Sequence, residues 1–229
     1  MHAEILPVSA NAWPVGPSPA SRHLDGVGAA DALGVDGVRM RYGRDEEIFG
    51  ESEPATCIFR VLKGVVRTYR ILADGRRQIA EFFLPGDVFG LEAGLEHRTS
   101  AEAVSDCEVL AMRRSVLAER ASTDSSAAHK LWALSLHHLQ RSEEHMLVLG
   151  RKSACERLAW FILDMSARIP APDCVDLLVS RQDTADYLGL TIETVSRSMT
   201  QLQDEGLITL ASARRVQLKA KTALADMAA

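Results

Sequence analysis

The chain has 229 residues, of which 47% are hydrophobic and 25% are charged, and this suits one large domain or two ordinary domains with a buried core. Its formal net charge of −5 excludes binding to nucleic acid through overall positive charge, so any such binding must come from a local patch. No apolar run approaches the roughly 18 residues of a membrane-spanning helix, and the proline-rich start lacks the features of a signal peptide, so we expect a cytoplasmic protein with no membrane partner.

Residues 1–33 contain four prolines and many small residues without a regular period, which predicts a flexible N-terminal arm. Residues 34–112 consist of short runs rich in β-branched and aromatic residues, separated by glycine, proline and aspartate. Asp74-Gly75 lies between two alternating runs and is a strong β-hairpin signal. This regular spacing of strands and turns predicts a small antiparallel barrel or roll.

Residues 113–150 are predicted to be helical, with one extended segment over 125–149. The apolar residues of this segment do not fit one heptad, so the helix has two surfaces to bury, one against its own roll and one against the same helix of a partner. We therefore predict a homodimer, with contacts from Leu131, Leu134, His138, Met146 and Leu149. Histidines interrupt the apolar positions, but no carboxylate or cysteine completes a ligand set, so we expect neither a metal nor a cofactor.

The four cysteines lie far apart and form no C-x-x-C pair, which argues against a zinc site or a disulfide framework. Reduced thiols are expected for all four, and a buried structural role is the simplest interpretation of Cys155 and Cys174. Redox control through Cys155 or Cys174 stays open as an alternative.

A C-terminal domain is predicted to span residues 151–229. Gly150 is expected to interrupt the long helix, so that Gly150 to Ser153 form a hinge. Ser153 is the expected N-cap of the next helix, with Glu156 at the capping-box position, and that helix is predicted to end at Pro170.

A helix-turn-helix follows at S-R-Q-D-T-A-D-Y-L-G-L-T-I-E-T-V-S-R. Ser180 is the expected N-cap of the first helix, and Gly189 ends it where positive φ is needed. Thr191 begins the second helix, whose apolar residues recur at three- and four-residue steps until Gly206. Such a unit lays its second helix in the major groove of DNA.

The second helix places four side chains outward at its start, namely Ile192, Glu193, Ser196 and Arg197. Glu193 and Arg197 are four residues apart and share one face. A carboxylate accepts from cytosine N4 and a guanidinium donates two bonds to guanine, so this pair suits reading a C·G base pair and its neighbour. The alternative is an ordinary salt bridge on a solvated helix, worth about 0.2–0.5 kcal/mol.

The run A-S-A-R-R lies between L-I-T-L and V-Q-L, which predicts a β-hairpin wing with a basic tip. Arg214 and Arg215 are placed to rest on DNA phosphates. Residues 151–229 hold ten basic and ten acidic residues, so the predicted DNA-binding domain carries no net charge.

L-P-G-D-V-F-G in the roll, the long helix, S-A-C-E-R-L-A and the helix-turn-helix run together resemble the Crp/Fnr superfamily of bacterial transcription regulators. The form T-I-E-T-V-S-R is similar to the Fnr and FixK branches, and L-W-A-L-S-L-H-H-L-Q-R-S-E-E-H looks like FixK regulators. The resemblance implies an α+β fold with an N-terminal antiparallel β-roll like a cyclic-nucleotide-binding domain, a long dimerisation helix and a C-terminal winged helix-turn-helix.

The resemblance also implies a homodimeric activator that binds double-stranded DNA at a TTGA-N6-TCAA-like palindrome and recruits RNA polymerase, in a microaerobic or nitrogen-fixation cascade. Glu193 and Arg197 are expected on the CAA/TTG core, with Ile192 and Ser196 on the flanking pair. The residues expected on phosphates, besides the two wing arginines, are Ser180, Arg181, Gln182, Thr191 and Thr194.

Effector binding is where the sequence departs from relatives. Residues 1–56 contain no cysteine, so the N-terminal cysteine cluster of Fnr-type oxygen sensors is missing. Gly90 is followed by Leu91, and Glu92 lies only six residues before Arg98, unlike the pattern of cyclic-AMP receptors. We therefore expect activity without a small ligand; the alternatives are an effector-dependent regulator of the same fold and a cupin-like β-roll enzyme.

Overall fold

The computed structural model describes residues 36–169, 174–212 and 214–228. The predicted arm of residues 1–33 and the helix-ending prolines at 170 and 172 lie outside these ranges. The described chain has the predicted α+β architecture, with an antiparallel roll first, helices next and a winged helix-turn-helix last.

The roll consists of two four-stranded sheets. Strand order is β1-β8-β3-β6 in one sheet and β2-β7-β4-β5 in the other. The strands are β1 (Val38–Tyr42), β2 (Glu47–Phe49), β3 (Cys57–Lys63), β4 (Val66–Ile71), β5 (Arg77–Phe83), β6 (Val88–Phe89), β7 (Ser100–Ala103) and β8 (Cys107–Arg113). Alternate side chains point between the sheets, where Phe89 stacks with Phe49 and Phe59 and packs against Phe83 at a tilt.

The run 57–71 is continuous in its β-like pattern but forms two strands in different sheets. Gly64 separates β3 from β4 with φ of +86°, and a Cβ there would collide with the carbonyl oxygen of Asp106. The predicted hairpin at Asp74-Gly75 is confirmed, since it joins β4 to β5 in antiparallel register.

Three helices follow the roll: α1 (Arg114–Thr123), α2 (Ser125–Arg151) and α3 (Ala154–Arg168). The prediction that Gly150 interrupts the long helix was wrong, because α2 continues through it to Arg151. An isolated glycine costs only about 1 kcal/mol in a helix interior and does not end the helix by itself. The break falls where Ser153 caps α3, and the predicted capping box with Glu156 is confirmed.

The C-terminal domain contains α4 (Arg181–Leu188), α5 (Ile192–Asp204) and α6 (Lys221–Ala228). Its sheet has the order β10 (Ile208–Leu210), β11 (Arg215–Leu218) and β9 (Cys174–Asp176). Strand β9 and helix α6 had no counterpart in the sequence predictions. None of the helices within the described ranges could cross a membrane.

One hydrophobic core joins the roll to the C-terminal domain. Ile79, Phe82 and Leu84 of the roll belong to the same buried cluster as Phe161 of α3 and Tyr187 of α4. Phe82 and Tyr187 have ring centroids 5.1 Å apart. The helix-turn-helix is therefore packed against the roll rather than attached to it by the chain alone.

Candidate nucleic-acid interface

The first helix of the helix-turn-helix, α4, is bounded by the predicted signals. The backbone N–H of Asp183 donates to Ser180 Oγ at 3.0 Å, and Asp183 Oδ2 accepts from the Ser180 N–H at 3.3 Å. Gly189 ends the helix with φ of +62°, in the left-handed region. These local contacts confirm the predicted cap and turn and set where the second helix begins.

The second helix, α5, buries one face and exposes the other. Thr191 is its N-cap and accepts from the Thr194 N–H at 3.2 Å. Val195, Met199 and Leu202 are buried in the core, as their three- and four-residue spacing predicted. The opposite face is thereby left to solvent along the first two turns.

The four predicted base-reading side chains all lie on this exposed face. Arg197 Nη2 donates to Thr194 Oγ1 at 3.4 Å. The ion pairs found among the described residues do not include Glu193 with Arg197, so the salt bridge required by the alternative interpretation is not formed. Hydrogen bonds from the Glu193 backbone and from Thr191, with a smaller contribution from the charge of Arg197, lower the pKa of Glu193. A carboxylate acceptor and a guanidinium donor are thus presented side by side.

The residues predicted to contact phosphates surround the starts of α4 and α5. Ser180 and Thr191 cap their helices, and Gln182 Nε2 donates to Asp186 Oδ1 at 2.6 Å. Arg181 is half-buried, and its Nη1 is buried without a hydrogen-bond partner in the described part of the chain. Burial lowers the pKa of Arg181.

The two wing arginines differ in their surroundings. Arg214 is exposed and borders a concave surface shared with Ser180 and with Arg44 of the roll. Arg215 lies in β11, where its Nε contacts Cys174 Sγ at 3.3 Å and Asp176 Oδ1 at 3.5 Å. Arg215 is therefore partly committed to its own sheet, which could not be foreseen because β9 was not predicted.

Helix α2 carries two separate stripes on nearly opposite sides. The inner stripe packs on the chain's own body and consists of Ala127, Leu131, Leu134, His138, Arg141, His145 and Val148. Its polar members hold Glu81 of β5: His138 Nδ1 lies 3.4 Å from Oε2, and Arg141 Nε lies 2.7 Å from Oε1. Burial alone would raise the pKa of Glu81, but these two partners lower it to about 2.

The outer stripe of α2 is exposed and follows a heptad spacing through Trp132, Leu136, Leu139 and Met146. Of the five predicted dimer contacts, only Met146 lies on it. Leu131, Leu134 and His138 face the roll, and Leu149 lies beside Gly189. The four side chains other than Met146 therefore pack on the chain's own body, and the prediction that they contact a partner stays a prediction.

A cavity of about 500 Å³ lies between the roll and α2, and its lining can be compared with what a cyclic nucleotide requires. Arg114 lines it, but its guanidinium donates to the backbone carbonyls of Ala55, Gly94 and Glu92. His138 also lines it and is bound to Glu81 and to the Val88 carbonyl. Among the described lining residues no cationic group is left to bind a cyclic phosphate, so these residues do not fit that ligand.

Two family models match the chain. The cyclic nucleotide-binding domain matches residues 39–124, and the Crp-like helix-turn-helix domain matches residues 156–227. The matches correspond to the roll with α1 and to the segment from α3 to α6.

Named relatives and solved structures are similar over most of the chain. The nitrogen fixation regulation protein FixK of Azorhizobium caulinodans is 46% identical over 97% of this chain and 95% of its own. The FixK protein of Rhizobium meliloti is 39% identical over 91% of this chain and 95% of its own. The structure of FixK2 from Bradyrhizobium japonicum has a TM-score of 0.81 and 47% identity, covering 84% of this chain and 98% of that one.

Proposed function

Because the chain belongs to the FixK branch of the Crp/Fnr family of DNA-binding transcription regulators, we propose that it is an activator that binds a TTGA-N6-TCAA-like palindrome as a homodimer. The observation that carries the proposal is the outward face of α5, where Glu193 and Arg197 stand exposed and unpaired with each other. Both groups are ready to hydrogen-bond to base edges in a major groove.

In this proposal Arg197 donates two hydrogen bonds to guanine O6 and N7, and Glu193 accepts from cytosine N4. Ser196 and Ile192 contact the flanking base pair, the latter through a thymine methyl group. Ile192 supports this role because 38% of its surface is exposed although it lies beside a buried face. The CAA/TTG core of each half-site is thereby read by one protomer.

Phosphate contacts orient α5 in the groove. Arg181 Nη1 is buried and lacks an acceptor within the described protein, so a turn of the side chain outward to a phosphate oxygen would give this donor a partner. Ser180, Gln182, Thr191 and Thr194 lie at the two helix starts, where backbone N–H groups favour anions. At the wing, Arg214 is exposed, and Arg215 is partly engaged because its Nε contacts Asp176 and Cys174.

The homodimer is built on the outer stripe of α2. Trp132, Leu136, Leu139 and Met146 would pack against the same residues of a second copy, as in a coiled coil, with the two α5 helices about one DNA turn apart. Met146 is 64% exposed in the single chain, which is a large apolar surface to leave in water.

In this proposal the regulator acts without a small-molecule effector; for a cyclic phosphate this is supported by the cavity beside α2, whose described residues offer no free cation. The names of the relatives refer to nitrogen fixation, and this supports a role in a nitrogen-fixation cascade. A microaerobic cascade, a location in the cytoplasm and RNA polymerase as the recruited partner are part of the proposal through the resemblance alone. The second candidate is an effector-dependent regulator of the same fold, favoured only by the presence of the cavity.

Binding of purified protein to the palindrome, with and without cyclic AMP, tests the proposal. We expect equal binding in both cases. Arg197→Ala should remove about 1–3 kcal/mol of discrimination between the palindrome and a CAA-altered copy. Arg76→Ala is the matched control, since Arg76 pairs with Asp74 on the roll surface. Binding that requires the nucleotide would favour the second candidate, and unchanged discrimination in Arg197→Ala would contradict the site.

A further inference from the structure

We propose that Arg67 and Arg77 of the roll are positioning residues for α5, holding α4 in one orientation so that the two recognition helices keep a fixed separation without a bound effector. The proposal rests on the palindrome binding proposed above. Sequence patterns did not reveal it, because β4 and β5 lie more than a hundred residues from α4.

The acidic start of α4 is held by both arginines. Arg67 is only 6% exposed, and its Nη1 donates to Asp183 Oδ1 at 3.1 Å while its Nε and Nη2 bind Glu102. Arg77 Nη2 donates to the same Asp183 oxygen at 2.6 Å, and its Nε donates to Asp186 Oδ2 at 2.7 Å. A planar guanidinium with fixed donors restricts direction as well as distance, so α4 cannot rotate without breaking these bonds.

The carbonyl end of α4 is held as well. The carbonyl oxygen of Tyr187 accepts from Gln78 Nε2 of the roll at 3.2 Å and from His145 Nε2 of α2 at 3.0 Å. The carbonyl oxygen of Leu188 accepts from Arg157 Nη1 of α3 at 2.9 Å. These are the carbonyls that a helix end leaves without internal partners, so roll, α2 and α3 all attach to α4.

Holding α4 also holds α5. The two helices are joined by the three residues Gly189, Leu190 and Thr191, and Leu188 and Val195 are both fully buried in their shared core. A dimeric reader requires its recognition helices at one spacing, about 34–36 Å. In this chain the ion pairs on α4 supply the orientation that a ligand-dependent regulator would gain from its ligand.

A direct phosphate contact is the competing role for Arg77, since Ser180 borders the same cleft. The two roles differ in salt dependence. Loss of one phosphate contact reduces the slope of log affinity against log salt by about 0.9, whereas loss of a positioning contact leaves that slope unchanged.

The test uses the full-length chain and palindromes whose half-sites are separated by five, six or seven base pairs. Wild type should prefer six. Arg77→Gln and Asp186→Asn should each weaken binding to the six-pair palindrome by about tenfold, reduce the difference in affinity between the six-pair palindrome and the other two, and leave the salt slope unchanged. Arg77→Lys should recover part of the preference, and Arg76→Gln is the matched control.

An unchanged spacing preference in both variants, or a reduced salt slope in Arg77→Gln, would overturn the positioning role. Hydrogen exchange in the absence of DNA gives an independent measurement. Amides of α4 and α5 should exchange faster in Arg77→Gln than in wild type, and equal rates would also count against the proposal. Failure of wild type to bind any of the palindromes would instead contradict the proposed operator. The hydrogen-exchange comparison would still show whether Arg77 holds α4 and α5 in place.

Discussion

Helices α4 and α5 have similar first turns in opposite surroundings, one buried and one exposed to solvent. Each is capped by a hydroxyl residue, and each carries a carboxylate in its first turn. Asp183 of α4 is 4% exposed and lies between Arg67 and Arg77, whereas Glu193 of α5 is exposed to solvent. The same local pattern thus attaches one helix to the protein body and leaves the other free to contact DNA.

The largest expected difference between the helices comes from these two carboxylates. Asp183→Asn should lower the free energy of unfolding by about 1.5–3 kcal/mol, because it removes one carboxylate partner of the buried Arg67 guanidinium while Glu102 and Asp45 remain. Glu193→Gln is the matched control and should leave stability unchanged while weakening recognition of the palindrome. Urea unfolding followed by circular dichroism measures the first effect. Equal stability of the two variants would contradict the conclusion that the carboxylate of α4 stabilises the fold and that of α5 does not.

The turn between the helices provides the next test. Gly189→Ala should destabilise the protein by about 1–2 kcal/mol, because φ of +62° is unfavourable for a residue with a Cβ. Steric overlap adds little, since the new atom would lie 3.6 Å from Arg157 Nη1. Gly189→Asn should lose less stability, as asparagine tolerates this region. Thermal unfolding of the three proteins checks the order, and an alanine variant as stable as wild type would contradict it.

The cap of α5 should have a smaller effect than the turn. Thr191→Ala removes the acceptor of the Thr194 N–H and should cost about 1 kcal/mol of stability. Thr200→Ala on the same helix is the control, because its hydroxyl bonds only to the Ser196 carbonyl one turn back and should be near neutral. Denaturant midpoints of both variants give the comparison. A larger loss of stability in Thr200→Ala than in Thr191→Ala would contradict the expectation that the exposed face of α5 contributes little to stability.

The smallest expected effect is on the pH dependence of stability, to which two histidines of α2 contribute with opposite signs. Burial lowers the pKa of His145, which holds the Tyr187 carbonyl of α4, so its contribution to stability is present above pH 6.5 and is lost as the pH falls through the lowered pKa. Burial also opposes protonation of His138, but Glu81 outweighs it and raises the pKa. The His138 contribution is therefore present below pH 6.5 and is lost as the pH rises through the raised value.

Unfolding free energies between pH 5 and pH 8 separate the two histidines. His145→Gln should flatten the decline on the acid side, and His138→Gln should flatten the decline on the alkaline side. The same slope in wild type and His145→Gln below pH 6.5 would show that α4 does not depend on a neutral His145.

The sequence by itself determined the features that depend on residues close along the chain. Ser180 with Asp183, Ser153 with Glu156, and the turn at Gly189 are set by groups within one helical turn of each other, so their chemistry could be read directly. The inward spacing of α5 likewise identified which of its side chains remain outside, and with them the candidate base readers.

Only the tertiary structure decided which surface each face meets. Periodicity showed that α2 has two apolar sides, but the packing of the roll decided that Leu131 and His138 turn inward and that Met146 faces solvent. Arg67 and Asp183 are 116 residues apart, and nothing local indicates that they pair. A buried ion pair forms where the fold brings two charges together away from water, and that meeting depends on the packing of whole domains rather than on any sequence window.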